Sequence, residues 1–231
     1  LGKEEGNMAL ADQSIKVVLL GDTGTGKTSL ALRFTRNEFL PYCESTIGAS
    51  FMTKAINILP VDSTREDQYP NTSSDERRRS DSQLTRVRRI EFNLWDTAGQ
   101  EKYASLAPMY YRNANAGILV FDICSRASFQ VLKKWAGDLQ SSGPADIILA
   151  VCGNKSDLAD ERTVSLQEAQ DYAQEIGAFY VETSARDDVN VRELFVEVGR
   201  RTPRIVGEEH ALDASARVDL FGNAGSRHRC C

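Results

Sequence analysis

The eight residues Gly21-Asp22-Thr23-Gly24-Thr25-Gly26-Lys27-Thr28, GDTGTGKT, follow directly on the apolar run IKVVLL at 15–20. They open a helical pattern at 27–37 and fit G-x-x-x-x-G-K-[ST]. Between a buried strand and a helix start, glycines at these places let a row of backbone N–H groups turn inward. The result is an anion nest backed by the positive end of a helix. Lys27 would reach the outer phosphates of a nucleoside polyphosphate, and the Thr28 hydroxyl would ligate Mg²⁺.

Outward from this loop, apolar runs of strand length at 15–20, 90–95, 118–121, 147–152 and 179–182 alternate with helical patterns. The helical stretches are 27–37, 128–140, 165–176 and 191–201. That alternation predicts a parallel sheet with crossover helices. The runs are almost continuously apolar, as strands covered on both faces should be. Residues 47–59 are expected to add a strand in a hairpin with 90–95, where Ile90, Phe92 and Leu94 point inward. Ser165 with Glu168 reads as a capping box, and Asn190 with Glu193 as a weaker one. Gly177 stands where a helix-stopping glycine belongs.

Composition removes several function classes. The 231 residues carry 41% hydrophobic and 26% charged side chains, an ordinary soluble balance, and a formal net charge of −5. Nothing there attracts a phosphate backbone, so no nucleic-acid partner is expected. No apolar run approaches the ~18 residues of a membrane-spanning helix, and no secretory leader is expected. Both histidines, His210 and His228, fall in the polar tail, which argues against a Ser-His-Asp or Cys-His centre in the folded part. Cys43, Cys124 and Cys152 stand singly and read as small packing hydrophobes in a reducing, cytosolic setting. Cys230 and Cys231 are adjacent at the end of the chain.

Two further loops address the base. Asn154-Lys155-Ser156-Asp157 and Ser184-Ala185 follow strands at their carboxyl ends, where open α/β sheets bind ligands. The Asp157 carboxylate can accept from the N1–H and the exocyclic amine of guanine. Adenine presents the opposite pattern and would leave the carboxylate unpaired, at a cost of about 1–3 kcal/mol or more.

In order along the chain, GDTGTGKT, STIG (45–48), DTAGQ (96–100), NKSD (154–157) and ETSAR (182–186) resemble the motifs of small Ras-like GTPases. IGASF (47–51), Trp95, KYASLAPMYYRNA (102–114) and LVFDIC (119–124) resemble Rab GTPases more narrowly, with wording nearest their early-endosome branch. The likeness covers about 15–201 apart from one insert. It implies a P-loop NTPase small-GTPase fold: a six-stranded, mostly parallel sheet with one antiparallel pair, flanked by helices. It further implies a slow GTPase switch that binds GTP/GDP and Mg²⁺ and regulates endosomal vesicle traffic and fusion through effectors.

The same resemblance assigns residues. Gly24, Thr25, Gly26, Lys27, Thr28 and Ser29 would hold the phosphates, and the Gly99 N–H would contact the γ-phosphate. Phe39, Asn154, Lys155, Asp157, Ser184, Ala185 and Arg186 would surround the base. Thr28, Thr46 and Asp96 would form the metal shell, and Gln100 would orient the attacking water. Loss of the γ-phosphate would release the loops around Thr46 and Gln100. Ile47, Phe51, Trp95 and Tyr110 would face effectors.

Implied partners are a guanine-nucleotide exchange factor, a GTPase-activating protein, a GDP-dissociation inhibitor or escort protein, and tethering effectors. The protein is expected to be a monomer. Cys230 and Cys231 would carry two geranylgeranyl groups, enough for stable attachment to a membrane. The location implied is the cytoplasmic face of endosomal membranes, cycling with cytosol.

Two departures stand out. Thr23 and Thr25 occupy positions often filled by smaller or apolar residues; Thr23 either crowds the γ-phosphate and slows hydrolysis or has no effect. Arg186 replaces the lysine usual in its motif, with little consequence expected because that loop should meet the base through its backbone.

Residues 1–13 are expected to be a disordered leader, with Met8 the natural start and the residues before it foreign, and 14–202 the GTPase domain. An insert at about 61–88, low in apolar residues, reads as disordered. It falls where the family joins two strands by a tight hairpin, away from the nucleotide. Its Arg77-Arg78-Arg79-Ser80 run fits a kinase site, an anionic-lipid contact or a plain solvated loop. Residues 203–231 form a flexible tail ending in the prenylation signal.

Overall fold

The computed structural model describes residues 13–42, 44–59, 87–99 and 107–203. They form a six-stranded sheet of β1 (Gln13–Leu20), β2 (Ala49–Ile58), β3 (Arg88–Thr97), β4 (Ala116–Asp122), β5 (Ile148–Asn154) and β6 (Phe179–Thr183). The spatial order is β2-β3-β1-β4-β5-β6. Only the β2–β3 pair is antiparallel, with Phe51 opposite Trp95. Described helices are α1 (Lys27–Arg36), the short α2 (Ala107–Tyr111), α3 (Arg126–Ser142), α4 (Leu166–Glu175) and α5 (Val191–Arg201). A 3₁₀ turn spans Ser156–Glu161.

Period-two alternation along β1 feeds two cores. Ile15, Val17 and Leu19 pack with α1 and α5 on one face, while Val18 and Leu20 pack with α3 and α4 on the other. On the first face Phe34 stacks on Phe195 at 3.8 Å between ring centres, with Phe92 edge-on to Phe34 at 5.5 Å. On the second, Phe121 meets Phe129 at 4.9 Å. Each such fully buried ring contributes about 1.5–3 kcal/mol over leaving it in water. Cys152 is buried and Cys124 half-buried, as packing thiols; burial pushes the Cys152 thiol up to about 12.

Several boundaries differ from expectation. Gln13, assigned to the leader, begins β1 and pairs with Ile90. Arg88, assigned to the insert, and Arg89 beside it belong to β3 opposite Ile58 and Asn57. Ladder pairing outweighs their polarity, and the Arg88 guanidinium also donates to the Gly199 and Thr202 carbonyls at the end of α5. Asn190 does not cap α5 through its side chain; it lies at φ 55° and donates to the Glu182 carbonyl. Ser165 does accept from the Glu168 N–H, but the Glu168 carboxylate turns away to Arg126, leaving half a capping box. Gly177 ends α4 at φ 71°, as expected.

Residues 1–12, most of the insert (60–86), the tail from 204, Cys43, Cys230, Cys231 and both histidines lie outside the described residues. Among the described residues, no helix is long and apolar enough to cross a membrane. The chain leaves β1 toward β3 on one side and crosses to β4 on the other, so β1 ends at a topological switch point. In open α/β sheets ligands bind at such a point, beyond the carboxyl ends of the strands.

Candidate nucleotide site

At that end of the sheet a cleft of about 390 Å³ is lined by Gly24, Gly26, Lys27, Thr28, Ser29, Phe39, Thr46, Gly99, Asn154, Lys155, Asp157, Ala185 and Arg186, with Thr23 and Leu158 among the rest. Thirteen of the residues expected from sequence thus come together. Thr25, Asp96 and Ser184 stand behind the wall, buried and bonded to it. Gln100 lies outside the described residues.

The loop after β1 is shaped for an anion. Gly24 and Gly26 take φ of 78° and 92°, the left-handed region that L side chains rarely adopt. Thr25 is buried and its hydroxyl donates to the Asp22 carbonyl, stapling the turn, whereas Thr23 is exposed. The Lys27 ammonium reaches back to the Gly21 and Asp22 carbonyls at 3.0 and 2.7 Å. Burial lowers its pKa to about 8, against the pull of Asp96 and Asp22. Phosphate oxygens in the nest would restore its full charge.

Asn154 braces the two halves of the cleft. It is 2% exposed, and its Nδ2 donates to the Thr25 carbonyl at 2.8 Å. Its Oδ1 accepts from the Thr183 hydroxyl and the Ala185 N–H. A Cβ on Gly26 would fall 2.3 Å from Asn154 Nδ2, so the close approach needs glycine on both steric and dihedral grounds. At the base end, Lys155 takes φ 68° and pairs with Asp122 at 2.6 Å. Asp157 accepts from the Ser184 hydroxyl at 2.6 Å and meets the Arg186 guanidinium at 3.3 Å.

The donor set also fits a hard divalent cation. Thr28 and Thr46 hydroxyl oxygens are 2.9 Å apart, and Thr28 donates to Asp96 Oδ2 at 2.7 Å. Asp96 Oδ1 is buried with no partner, an acceptor that a metal-bound water would satisfy. Burial raises the Asp96 pKa, opposed by the Thr28 hydrogen bond and the Lys27 charge.

Beside the cleft, Phe51 meets Trp95 at 5.6 Å and Trp95 meets Tyr110 at 6.3 Å. Phe51 is 55% and Ile47 84% exposed. Three of the four residues expected to face effectors, Phe51, Trp95 and Tyr110, therefore adjoin one another, and Ile47 is exposed just before β2.

Sequence reading missed Arg33, Asp122 and Thr183. Arg33 Nε donates to the Ala185 carbonyl at 2.8 Å and another guanidinium nitrogen to the Arg186 carbonyl at 3.0 Å. Such partners lie far apart along the chain and leave no local pattern.

Comparison with known proteins agrees with this geometry. The Ras family model matches residues 16–204. The chain is 45% identical over 195 residues to the Ras-related protein RABF2b of Arabidopsis thaliana, covering 84% of each. It is 42% identical to Rab-5A of Dictyostelium discoideum, covering 94% of each. To human Rab-31 it is 40% identical over 96% of this chain and all of the relative. With the glycine loop, the Thr28, Thr46 and Asp96 oxygens and the 154–157 and 184–186 loops converging on one cleft, the chain belongs to the Ras family, as a Rab-type GTPase of the early-endosome branch.

Proposed function

We propose that this cleft holds GTP or GDP with Mg²⁺ through the residues gathered there. The single observation that supports the assignment is the Asn154 brace, which ties the glycine loop to Thr183 and Ala185 beside the loop that holds Asp157. Backbone N–H groups of the glycine loop and Lys27 bind the phosphates, and Asp157 with the 184–186 backbone selects guanine. Phe39 covers the base. Magnesium bound there would supply positive charge against the phosphates. Thr28, Thr46 and Asp96 would hold it, and Thr46 with Gly99 would tie the neighbouring loops to the triphosphate state. Gln100 orients the attacking water, so hydrolysis needs positioning and charge stabilisation rather than a histidine.

As a Rab-type GTPase the protein regulates endosomal traffic. Its GTP state engages tethering effectors through Ile47, Phe51, Trp95 and Tyr110. An exchange factor reloads it, an activating protein speeds hydrolysis, and a dissociation inhibitor or escort protein carries the prenylated form. Two prenyl groups on Cys230 and Cys231 hold it to the cytoplasmic face of the endosomal membrane, from which it cycles through cytosol.

The test is direct. Magnesium-loaded protein should take up labelled GDP and exclude ADP, and Gln100→Leu should keep GDP affinity while single-turnover hydrolysis drops at least tenfold. Equal uptake of adenosine and guanosine nucleotides would refute the assignment of Asp157. A wild type that never releases phosphate over many turnovers would mark a GTP-binding scaffold instead.

A further inference from the structure

The base-selecting carboxylate is held from two sides. Asp157 Oδ1 accepts the Ser184 hydroxyl at 2.6 Å, and Oδ2 lies 3.3 Å from an Arg186 guanidinium nitrogen. The Asp157 side chain is only 7% exposed. An ionised carboxylate offers about four lone-pair sites, two on each oxygen. Ser184 occupies one on Oδ1, and the Arg186 guanidinium stands beside Oδ2 as an ion pair. At least one acceptor site remains on each oxygen, and the guanine edge presents two neighbouring N–H donors, N1–H and the 2-amino group.

The two holders are themselves anchored as one unit. Ser184 Oγ accepts from the Asp187 N–H at 3.0 Å, and the Arg186 Nε bonds the Asp187 carboxylate at 3.0 Å. Arg33, from the last turn of α1, takes both the Ala185 and Arg186 carbonyls. The helix that starts at the phosphate loop thus ends on the loop that carries Ser184 and Arg186. A lysine at 186 would bring a compact ammonium with rotatable donors on a flexible stem. A planar guanidinium can bond two carboxylates at once in fixed directions.

We infer that Arg186 is a positioning residue for guanine specificity: its guanidinium fixes the rotation of the Asp157 carboxylate, so that one free acceptor on each oxygen faces the two donors of the guanine edge. This rests on the cleft being the guanine-nucleotide site. It assigns the Arg186 side chain a role that the backbone-contact expectation left out.

The experiment compares dissociation of labelled GDP and labelled inosine diphosphate, which lacks the 2-amino group, from wild type, Arg186→Met and Arg186→Lys. Thermal melts confirm that each variant is folded. In Arg186→Met, GDP release should quicken about two- to fivefold, the size of one partly exposed ion pair. Inosine diphosphate release should change less, so the preference for GDP over inosine diphosphate narrows. Arg186→Lys should fall between the other two. Equal acceleration of both nucleotides would show a merely structural role and overturn the inference, as would unchanged release. Slower GDP release would overturn it by showing that Arg186 competes with the base. A wild type that fails to prefer GDP over ADP would instead sink the assignment of the cleft itself.

Discussion

The Thr28 hydroxyl donates a 2.7 Å hydrogen bond to Asp96 Oδ2 across 68 positions of sequence, joining the start of α1 to the end of β3. Thr46, from the loop before β2, adds its hydroxyl at 2.9 Å. Three segments that share no local sequence relation therefore converge on one cluster of oxygens. A divalent cation bound there would couple the phosphate loop to both neighbouring loops, which is the physical basis of a switch.

Thr28→Asn should break that cluster. Hydrogen bonds to a charged partner are worth about 1.5–3 kcal/mol, so GTP affinity should fall roughly tenfold or more, and more than GDP affinity. Labelled-nucleotide release with and without EDTA checks this. EDTA should speed release strongly in wild type and little in the variant.

Gly99 lies against the phosphate loop so closely that a Cβ would sit 2.4 Å from the Thr23 nitrogen and 2.5 Å from the Asp22 carbonyl carbon. Both obstacles are backbone and cannot swing aside. Gly99→Ala must push the end of β3 away from the loop, at a cost of about 1–3 kcal/mol. A lowered melting temperature and slowed GTP hydrolysis are expected, with GDP still bound. Wild-type melting and hydrolysis would show that the contact is slack.

Trp95 is flanked by Phe51 on β2 and by Tyr110 on α2, and Lys16 sits 4.8 Å from its ring centre. Partly exposed aromatic rings anchor interfaces well. Tyr110→Ala should leave nucleotide affinity intact while weakening an effector domain selective for the GTP form by about 2 kcal/mol. Calorimetric titration of that domain decides the matter; unchanged binding removes Tyr110 from the effector surface.

Glu182 receives two bonds from Arg162, at 2.7 and 2.9 Å, and one from the Tyr180 hydroxyl at 2.8 Å. Burial alone would raise its pKa, but the Arg162 and Tyr180 bonds and the Arg162 charge outweigh it and hold the carboxyl below its ordinary value. On acidification the unfolded chain takes up this proton first. The stabilisation is therefore full above the ordinary glutamate pKa and is lost as pH falls through the folded value. Glu182→Gln should lose about 1 kcal/mol at pH 7, and the gap from wild type should shrink in acid. Denaturant titrations at several pH values measure it; a gap independent of pH would mean the carboxylate charge does not matter.

Much of the fold was legible because its signals are local. Near-continuous apolar runs mark strands covered on both faces, and the placement of GDTGTGKT between run and helix marks the phosphate turn. Elements whose existence depends on distant partners were not legible. Arg88 and Arg89 look like part of a polar insert until Ile58, Asn57 and the end of α5 stand beside them. Asn190 looks like a cap until its backbone is seen in the left-handed region.

By itself the sequence determined the chemistry available at each position: glycines that permit a nest, a lysine and threonine beside it, a carboxylate after the fifth strand, and a glutamine in place of a histidine. Only the tertiary structure decided how those groups are held. Asn154 against Thr25, Thr28 against Asp96, and Arg186 against Asp157 are contacts between residues tens of positions or more apart. Hydrogen-bond geometry falls away within a fraction of an ångström, and only the packed sheet brings such groups within that reach.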